Sequence, residues 1–384
     1  MKITGIICEY NPLHLGHKKQ LDMIRQDCPD CGIVCLMSGN YVQRGAPAII
    51  DKMRRAEAAV RSGADLVLEL PTTYALRSAE GFAAGGVSIL SPFCDTLSFG
   101  AETADTADLM RTAEALLSAE FPETLRSHLD AGLSFPAARQ AALAEMGLDA
   151  AVITQPNNIL AVEYCKAILS QGSAMRPMPI RREGSYHDTA PDAENPSATA
   201  VRRQLHDGAD WEAYIPKQAV PCFKNAHIHT IRLGEQAVLA RLRTMTDGEF
   251  EALPYGSEGL WRKLMHAARS KATLEEILEA VKSKRYTRSR LDRMVMCAFL
   301  GITEELLYKP VPYVRVLAFN DKGRQILKEA RKHRNFINVG AVVNDPCQQL
   351  EDRWCDLFGL FAETPEAPGM ERKYRVYYEK NGEV

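Results

Sequence analysis

One stretch constrains this chain more than any other: Cys8-Glu-Tyr-Asn-Pro-Leu-His-Leu-Gly-His17. It follows an apolar run, Ile3 to Ile7, that reads as a buried first strand. It precedes Lys18 to Arg25, where Leu21, Met23 and Ile24 give helical spacing. A strand therefore ends, a turn with Asn11-Pro12 follows, and a helix begins near His14. A helix N-terminus offers free N–H groups and a positive dipole end, which together make an anion site. Gly16 lets a ligand approach the backbone closely. His14 and His17, three apart, face the same way on a helical turn and suit hydrogen bonding to phosphate oxygens as charge builds in a transition state. A metal pair is the weaker reading, because no third ligand lies at a suggestive spacing.

The next hundred residues alternate strand and helix. Gly32 to Met37 reads as a second strand ending in Ser38-Gly39-Asn40. A helix starts near Asp51 and runs through Ala56 to Ala64, and a third strand runs from Ala64 to Leu70. Glu80 to Leu90 is helical, and Asp95 to Phe99 is a fourth strand closed by Gly100. This pattern implies βαβ units, a parallel sheet and right-handed crossovers. Ligands then bind at the C-terminal strand ends, where the histidine turn sits. The loop Ser38 to Pro47 should border the crevice, with Arg44 or Lys52 as phosphate or carboxylate contacts; a solvated connection is the plainer reading. Glu69 is as readily structural as functional.

Residues 103–150 hold amphipathic helices with nine acidic residues against three basic from 101 to 150. Gln155 to Leu160 is a polar turn feeding a helix, so Asn157 either caps that helix or reads a nucleotide. Met178 to Ile180 is a further strand ending in Arg181-Arg182. Asn195 to Arg203 is a capped helix start, where Ser197, Thr199 and Arg202 suit a leaving pyrophosphate. A plain N-cap is the alternative for Ser197.

At 384 residues the chain is long enough for two or three domains, and 46% hydrophobic with 25% charged residues marks an ordinary globular protein. No secretory segment and no apolar run of membrane length is visible, so a cytoplasmic enzyme without a membrane partner is expected. The ten cysteines are scattered and read as reduced thiols; Cys28-Pro-Asp-Cys31 is a lone pair. The formal net charge is only −2, yet Lys282 to Arg293 carries six basic residues and one acidic, as does Lys322 to Arg334. Those two runs point to a polyanion-binding face, with Lys284, Arg285, Arg288, Arg290, Arg324, Lys328 and Arg331 as RNA contacts.

His14-Leu-Gly-His17 with the later Ser197-Ala-Thr199…Arg202 resembles the HxGH nucleotidyltransferases. Five ordered segments narrow the resemblance to the bacterial tRNA(Met) cytidine acetate ligases: Glu9 to His17, Met37 to Gly45, Gly63 to Pro71, Pro156 to Leu160 and Ser197 to Arg202. The resemblance implies a Rossmann-like α/β core over 1–214, with 103–150 as a helical insertion, and a mostly helical tRNA-binding domain over 215–384. It implies that ATP and acetate condense to acetyl-adenylate, and that acetyl passes to N4 of the wobble cytidine of elongator tRNA(Met). The expected ATP contacts are Ile7, Cys8, Glu9, Tyr10, Asn11, Pro12, Leu13, His14, Leu15, Gly16, His17, Lys18, Lys19, Gln20, Gly100, Asn157 and Arg182. His14, His17 and Lys18 form the expected catalytic group. Mg²⁺ is expected to arrive with ATP rather than in a dedicated protein site, and no obligate protein partner is expected. Two other readings stay open: a small-molecule adenylyl- or cytidylyltransferase, and an RNA-binding protein with a regulatory nucleotide site.

Overall fold

The computed structural model describes residues 1–181, 196–283 and 285–380. Its first half is built from β1 (Ile3–Cys8), α1 (Leu15–Asp27), β2 (Gly32–Ser38), α2 (Lys52–Arg61), β3 (Leu66–Leu70), α3 (Ala79–Leu90) and β4 (Thr96–Ala101). Three helices fill the acidic stretch: α4 (Thr106–Leu117), α5 (Phe121–Asp130) and α6 (Phe135–Glu145). Then come α7 (Pro156–Ser170), β5 (Arg176–Arg181) and α8 (Ala198–Asp207). The strands lie in the order β3-β2-β1-β4-β5, all parallel. This is a doubly wound sheet whose order reverses beside β1, so its switch-point crevice opens where the histidine turn leaves the sheet.

Strand composition follows from burial on both faces. In β1, Ile3 and Ile7 enter one core while Ile6 and Cys8 enter the other. In β2, Val34 and Leu36 point one way and Ile33, Cys35 and Met37 the other. Such strands read as unbroken apolar runs because neither face meets water. Helices α3 and α7 cover the first face, α1, α2 and α8 the second. Asp51 caps α2 as its sequence suggested, accepting from the N–H groups of Met53 (2.9 Å) and Arg54 (3.0 Å).

The chain beyond 215 does two things. It first builds a helical layer from α9 (Glu235–Thr244), α10 (Leu260–Ala268), α11 (Leu274–Val281) and α12 (Arg288–Leu300) around its own core. It then returns to the sheet with β6 (Val314–Asn320), α13 (Asp321–Ala330), β7 (Phe336–Asn338), α14 (Pro346–Phe358) and β8 (Tyr377–Glu379). β6 pairs antiparallel with β3, and both β7 and β8 pair parallel with β6. A boundary at 214/215 therefore cuts through the sheet, because strands from 314 onward complete it. Tyr41, just after β2, ties the helical layer down: its hydroxyl donates to the Trp354 carbonyl (2.8 Å), and Trp354 Nε1 donates to the Leu300 carbonyl (2.9 Å).

Five ionisable side chains, each no more than 9% exposed, meet where this returning segment joins the core. Lys52 Nζ lies 2.8 Å from Glu69 and 2.8 Å from Glu371. Arg315 lies 3.2 Å from Glu371 and 3.8 Å from both Glu69 and Glu351. Lys52, read from sequence as a phosphate contact, is thus spent on a buried network, and Glu69 is structural. Two cations face three carboxylates, and burial pushes the Glu351 carboxyl up to about 7 even though Arg315 opposes the shift. A carboxyl raised in the fold stabilises the protein below its unfolded range, near 4.5, and loses that contribution as pH rises through 7. Glu351→Gln should therefore gain stability relative to the parent as pH rises from 5 to 8. Urea midpoints across that range check it, and a constant difference would contradict it.

Candidate functional site

The crevice measures about 400 Å³ and opens at the C-terminal ends of β1, β4 and β5. Its sharpest geometry is at the start of α1. His14 is the N-cap, 1% exposed, and its Nδ1 accepts the Gly16 N–H (3.2 Å). The His14 N–H in turn donates to Nδ1 of His17 (3.3 Å), a reciprocal cap made by two imidazoles. An Nδ1 that accepts carries no proton, so a neutral ring holds its proton on Nε2. Both rings are thereby set as Nε2–H donors. They lie 3.8 Å apart between centroids, and the Tyr10 ring meets His17 edge-on at 5.0 Å. Gly16 eases this packing, since a Cβ there would sit 3.1 Å from the His14 ring and press it aside by a few tenths of an ångström.

The turn that carries the histidines is held from below. Arg55, fully buried, donates to the carbonyls of Glu9 (2.7 Å), Ser38 (3.1 Å) and Ile50 (3.1 Å), and also to that of Gly39. Burial lowers its guanidinium to about 10, which leaves it cationic at neutral pH. Asn11 Oδ1 accepts the Ile49 N–H (2.7 Å), and Tyr10 is held at a positive φ of 43° with 1% of its surface exposed. Glu9 reaches the crevice with its carboxylate accepting the Gln43 N–H (2.6 Å); burial raises its pKa, and Arg202, Arg55 and Arg44 oppose the rise.

Helix α8 brings in Arg202, which donates to the Asn11 carbonyl (2.6 Å) and to Thr199 Oγ1 (3.0 Å). Arg44 and Arg181 line the crevice together with Lys19 and His17. Phe82, Phe99, Leu160 and Tyr164 are apolar walls of it, with the Phe99 and Tyr164 rings 5.4 Å apart. Asn157 lines it at the start of α7, where the Glu102 carboxylate accepts from its Nδ2 (2.6 Å) and from the Asn158 N–H (2.8 Å). The crevice therefore combines aromatic and aliphatic walls with cations and a helix N-terminus, which suits a nucleobase joined to phosphates.

Most residues expected from the sequence converge here. Ile7, Cys8, Glu9, Tyr10, Asn11, Gly16, His17, Lys19, Gln20, Arg44, Gly100, Asn157 and Arg202 line the crevice. Others support it from behind: Leu13 is core, and Ser197 caps α8 by accepting the Ala200 N–H (3.1 Å). Lys18 pairs with Asp22 one turn on, and Lys19 is the lysine at the crevice. Arg182 and Lys284 fall outside the described residues. Sequence reasoning missed Arg55 and the aromatic wall. The strand end Gly100-Ala101-Glu102, expected from the parallel-sheet reading to border the crevice, places Gly100 in its lining and Glu102 on Asn157.

The expected RNA contacts separate. Arg285 pairs with Glu258; Arg288 with Glu275 (2.7 Å) and Asp292 (2.8 Å); Arg290 donates to the Tyr255 carbonyl (2.8 Å) and to Ser257 Oγ (3.0 Å). Arg324 and Lys328 sit on α13 and Arg331 is its C-cap; α13 meets Asp65 through Gly323 and Gly32 through Ile326, at the N-terminal ends of β3 and β2, remote from the crevice. The two basic runs therefore do not form one face.

The HIGH Nucleotidyl Transferase family model matches residues 1–356. A tRNA(Met) cytidine acetate ligase of Clostridium novyi is 38% identical over 367 residues, covering 90% of this chain and 92% of that one. One from Anoxybacillus flavithermus is 33% identical, covering 98% and 99%. The crystal structure of Thermotoga maritima TmcAL without ligand superposes with a TM-score of 0.91 at 29% identity, over 99% of this chain and all of that one. The same protein bound with alpha-thio ATP gives 0.88 at 28% identity, with the same coverage. With its doubly wound sheet and reciprocally capped histidine pair, the chain belongs to the tRNA(Met) cytidine acetate ligase family of HIGH nucleotidyl transferases.

Proposed function

We propose that the protein activates acetate with ATP, releasing pyrophosphate, and passes the acetyl group to N4 of the wobble cytidine of elongator tRNA(Met), forming N4-acetylcytidine. The observation that carries the first step is the His17 imidazole at the α1 N-terminus, set as an Nε2–H donor and lining the crevice with Arg44, Arg181 and Arg202, with the buried His14 ring packed against it. Acetate is ionised at neutral pH and needs no general base to attack the α-phosphate. The step needs positioning and stabilisation of phosphate charge. His14 and His17 stabilise the α- and β-phosphates, Lys19 lies alongside, and the arginines hold the departing pyrophosphate. The adenine occupies the slot between Phe82, Phe99 and Tyr164, with Asn157 oriented toward it by Glu102. The Thermotoga relative's alpha-thio ATP complex supports a nucleotide in this crevice.

Mg²⁺ accompanies the nucleotide in this reading. Among the described residues no group of three or more His, Cys, Asp or Glu is arranged to hold a metal ion, so coordination would come through phosphate oxygens and water. Among those residues, too, no helix is long and apolar enough to cross a membrane.

Acetate-dependent ATP–pyrophosphate exchange tests the first step, and acetylcytidine on added tRNA the second. The expected result is exchange that requires acetate. Its absence, with and without tRNA, would overturn the ligase reading and favour a small-molecule nucleotidyltransferase.

A further inference from the structure

The cations that the sequence singles out between 285 and 290 are largely consumed within the protein, so their charge is not what the surface offers. Helix α10 and the turn after it differ. Arg262, Lys263, His266, Arg269 and Lys271 occur there with no acidic residue between 260 and 272. At about 100° per residue, positions 262, 263, 266 and 269 fall within about 120° of one another. All five side chains are exposed. Arg269 pairs with Asp247 (2.6 Å), and Arg243, beside the turn, donates to the Ala272 carbonyl (2.9 Å). Among the described residues no carboxylate pairs with Arg262, Lys263, His266 or Lys271. The charge of Arg262, Lys263 and Lys271 is balanced by solvent ions, which a polyanion can displace.

This face is also joined to the crevice. Gly45, next to Arg44 at the lip, has a φ of 76°, and a Cβ there would lie 2.3 Å from the Arg293 backbone nitrogen in α12. Arg293 lies over the Tyr255 ring (5.1 Å), and Arg290 donates to the Tyr255 carbonyl. Arg290 and Lys263 both lie over the Tyr286 ring, at 5.2 and 5.6 Å. Arg262 lies over the half-buried Trp261 (4.9 Å). A run of packed side chains, with Arg293 and Tyr286 buried, thus fixes α10 relative to the crevice lip. An anionic lipid surface fits poorly, because a helix lying on a membrane needs an exposed apolar rim, and none of the exposed large hydrophobic residues lies on α10.

We propose that the exposed face of α10, with Lys271, is the surface that grips the RNA phosphate backbone while the reactive cytidine enters the crevice. The inference rests on the tRNA ligase reading. Each phosphate neutralised adds about 0.7 to 0.9 to the steepness with which log affinity falls with log salt.

The test is the variant R262Q/K263Q/K271Q, with R324Q/K328Q/R331Q as the comparison. The α10 variant should keep the parent's melting temperature and its acetate-dependent exchange. Its tRNA affinity should fall at least about tenfold at moderate salt, with the salt slope shallower by about two units. Unchanged tRNA affinity and slope would overturn the proposal, as would an equal loss in the α13 variant. Failure of the ligase reading shows separately, as absent exchange in the parent, and the binding slopes still decide the surface.

Discussion

His17→Ala is expected to lower acetate-dependent ATP–pyrophosphate exchange at least a hundredfold, about 2.7 kcal/mol of transition-state stabilisation. The substitution removes one oriented donor whose proton is set on Nε2 by the bond from the His14 N–H. It leaves the backbone N–H groups of α1 in place. Removing one preorganised donor from a site where charge develops costs about 10²–10³ in rate in other acyl-transfer sites. The loss should fall on kcat more than on the KM for ATP, because the donor's partner gains charge only as the α-phosphate is attacked. Loss of the reciprocal cap adds about 1 kcal/mol of instability, too little to unfold the chain, and a melting curve checks that. A tenfold or smaller effect, or one confined to KM, would place His17 in ground-state binding alone.

Lys52→Met should destabilise the protein by about 3–5 kcal/mol. Lys52 is 2% exposed, and its ammonium lies within hydrogen-bond distance of both Glu69 and Glu371. Removing it leaves Arg315 alone against three buried carboxylates. A buried ion pair contributes little net against an apolar substitute, but one partner stranded without the other is costly. The loss should therefore be recovered in part by adding Glu69→Gln, which removes one stranded charge. Urea titration of the two single variants and the double measures the coupling. A single-variant loss below about 1 kcal/mol would mean that water reaches the cluster. Because Lys52 and Glu69 belong to the doubly wound core and Glu371 to the returning segment, loosening should spread to β6 and β8. Hydrogen exchange there would register it.

The chemistry at the crevice was legible because it is local. Strand, turn and helix are adjacent in the chain from Ile3 to Asp27, so the histidine spacing alone announces which way two imidazoles face. The five-strand core was legible for a related reason: strands buried on both faces must be apolar throughout, and Gly, Pro and Asn mark their ends. Arg55 was invisible in the same sense that it is central. Its role is to satisfy four carbonyls from two separate loops, and nothing in Met53-Arg54-Arg55 distinguishes it from its half-buried neighbour.

By itself, the sequence determined the doubly wound core, the anion-binding turn and the family's five motifs. These depend on periodicity and on contacts between near neighbours. The tertiary structure alone decided where charge ends up. It buried Lys52 with Glu69 and Glu371, separated by 17 and 319 residues, and returned the chain from 314 onward to the sheet. It also neutralised Arg285 and Arg288 with acids 27 and 13 residues away, and left Arg262 and Lys263 without such partners among the described residues. Whether a cation is available to a ligand depends on which carboxylate folds against it, and pairing across distant segments leaves no trace in local composition.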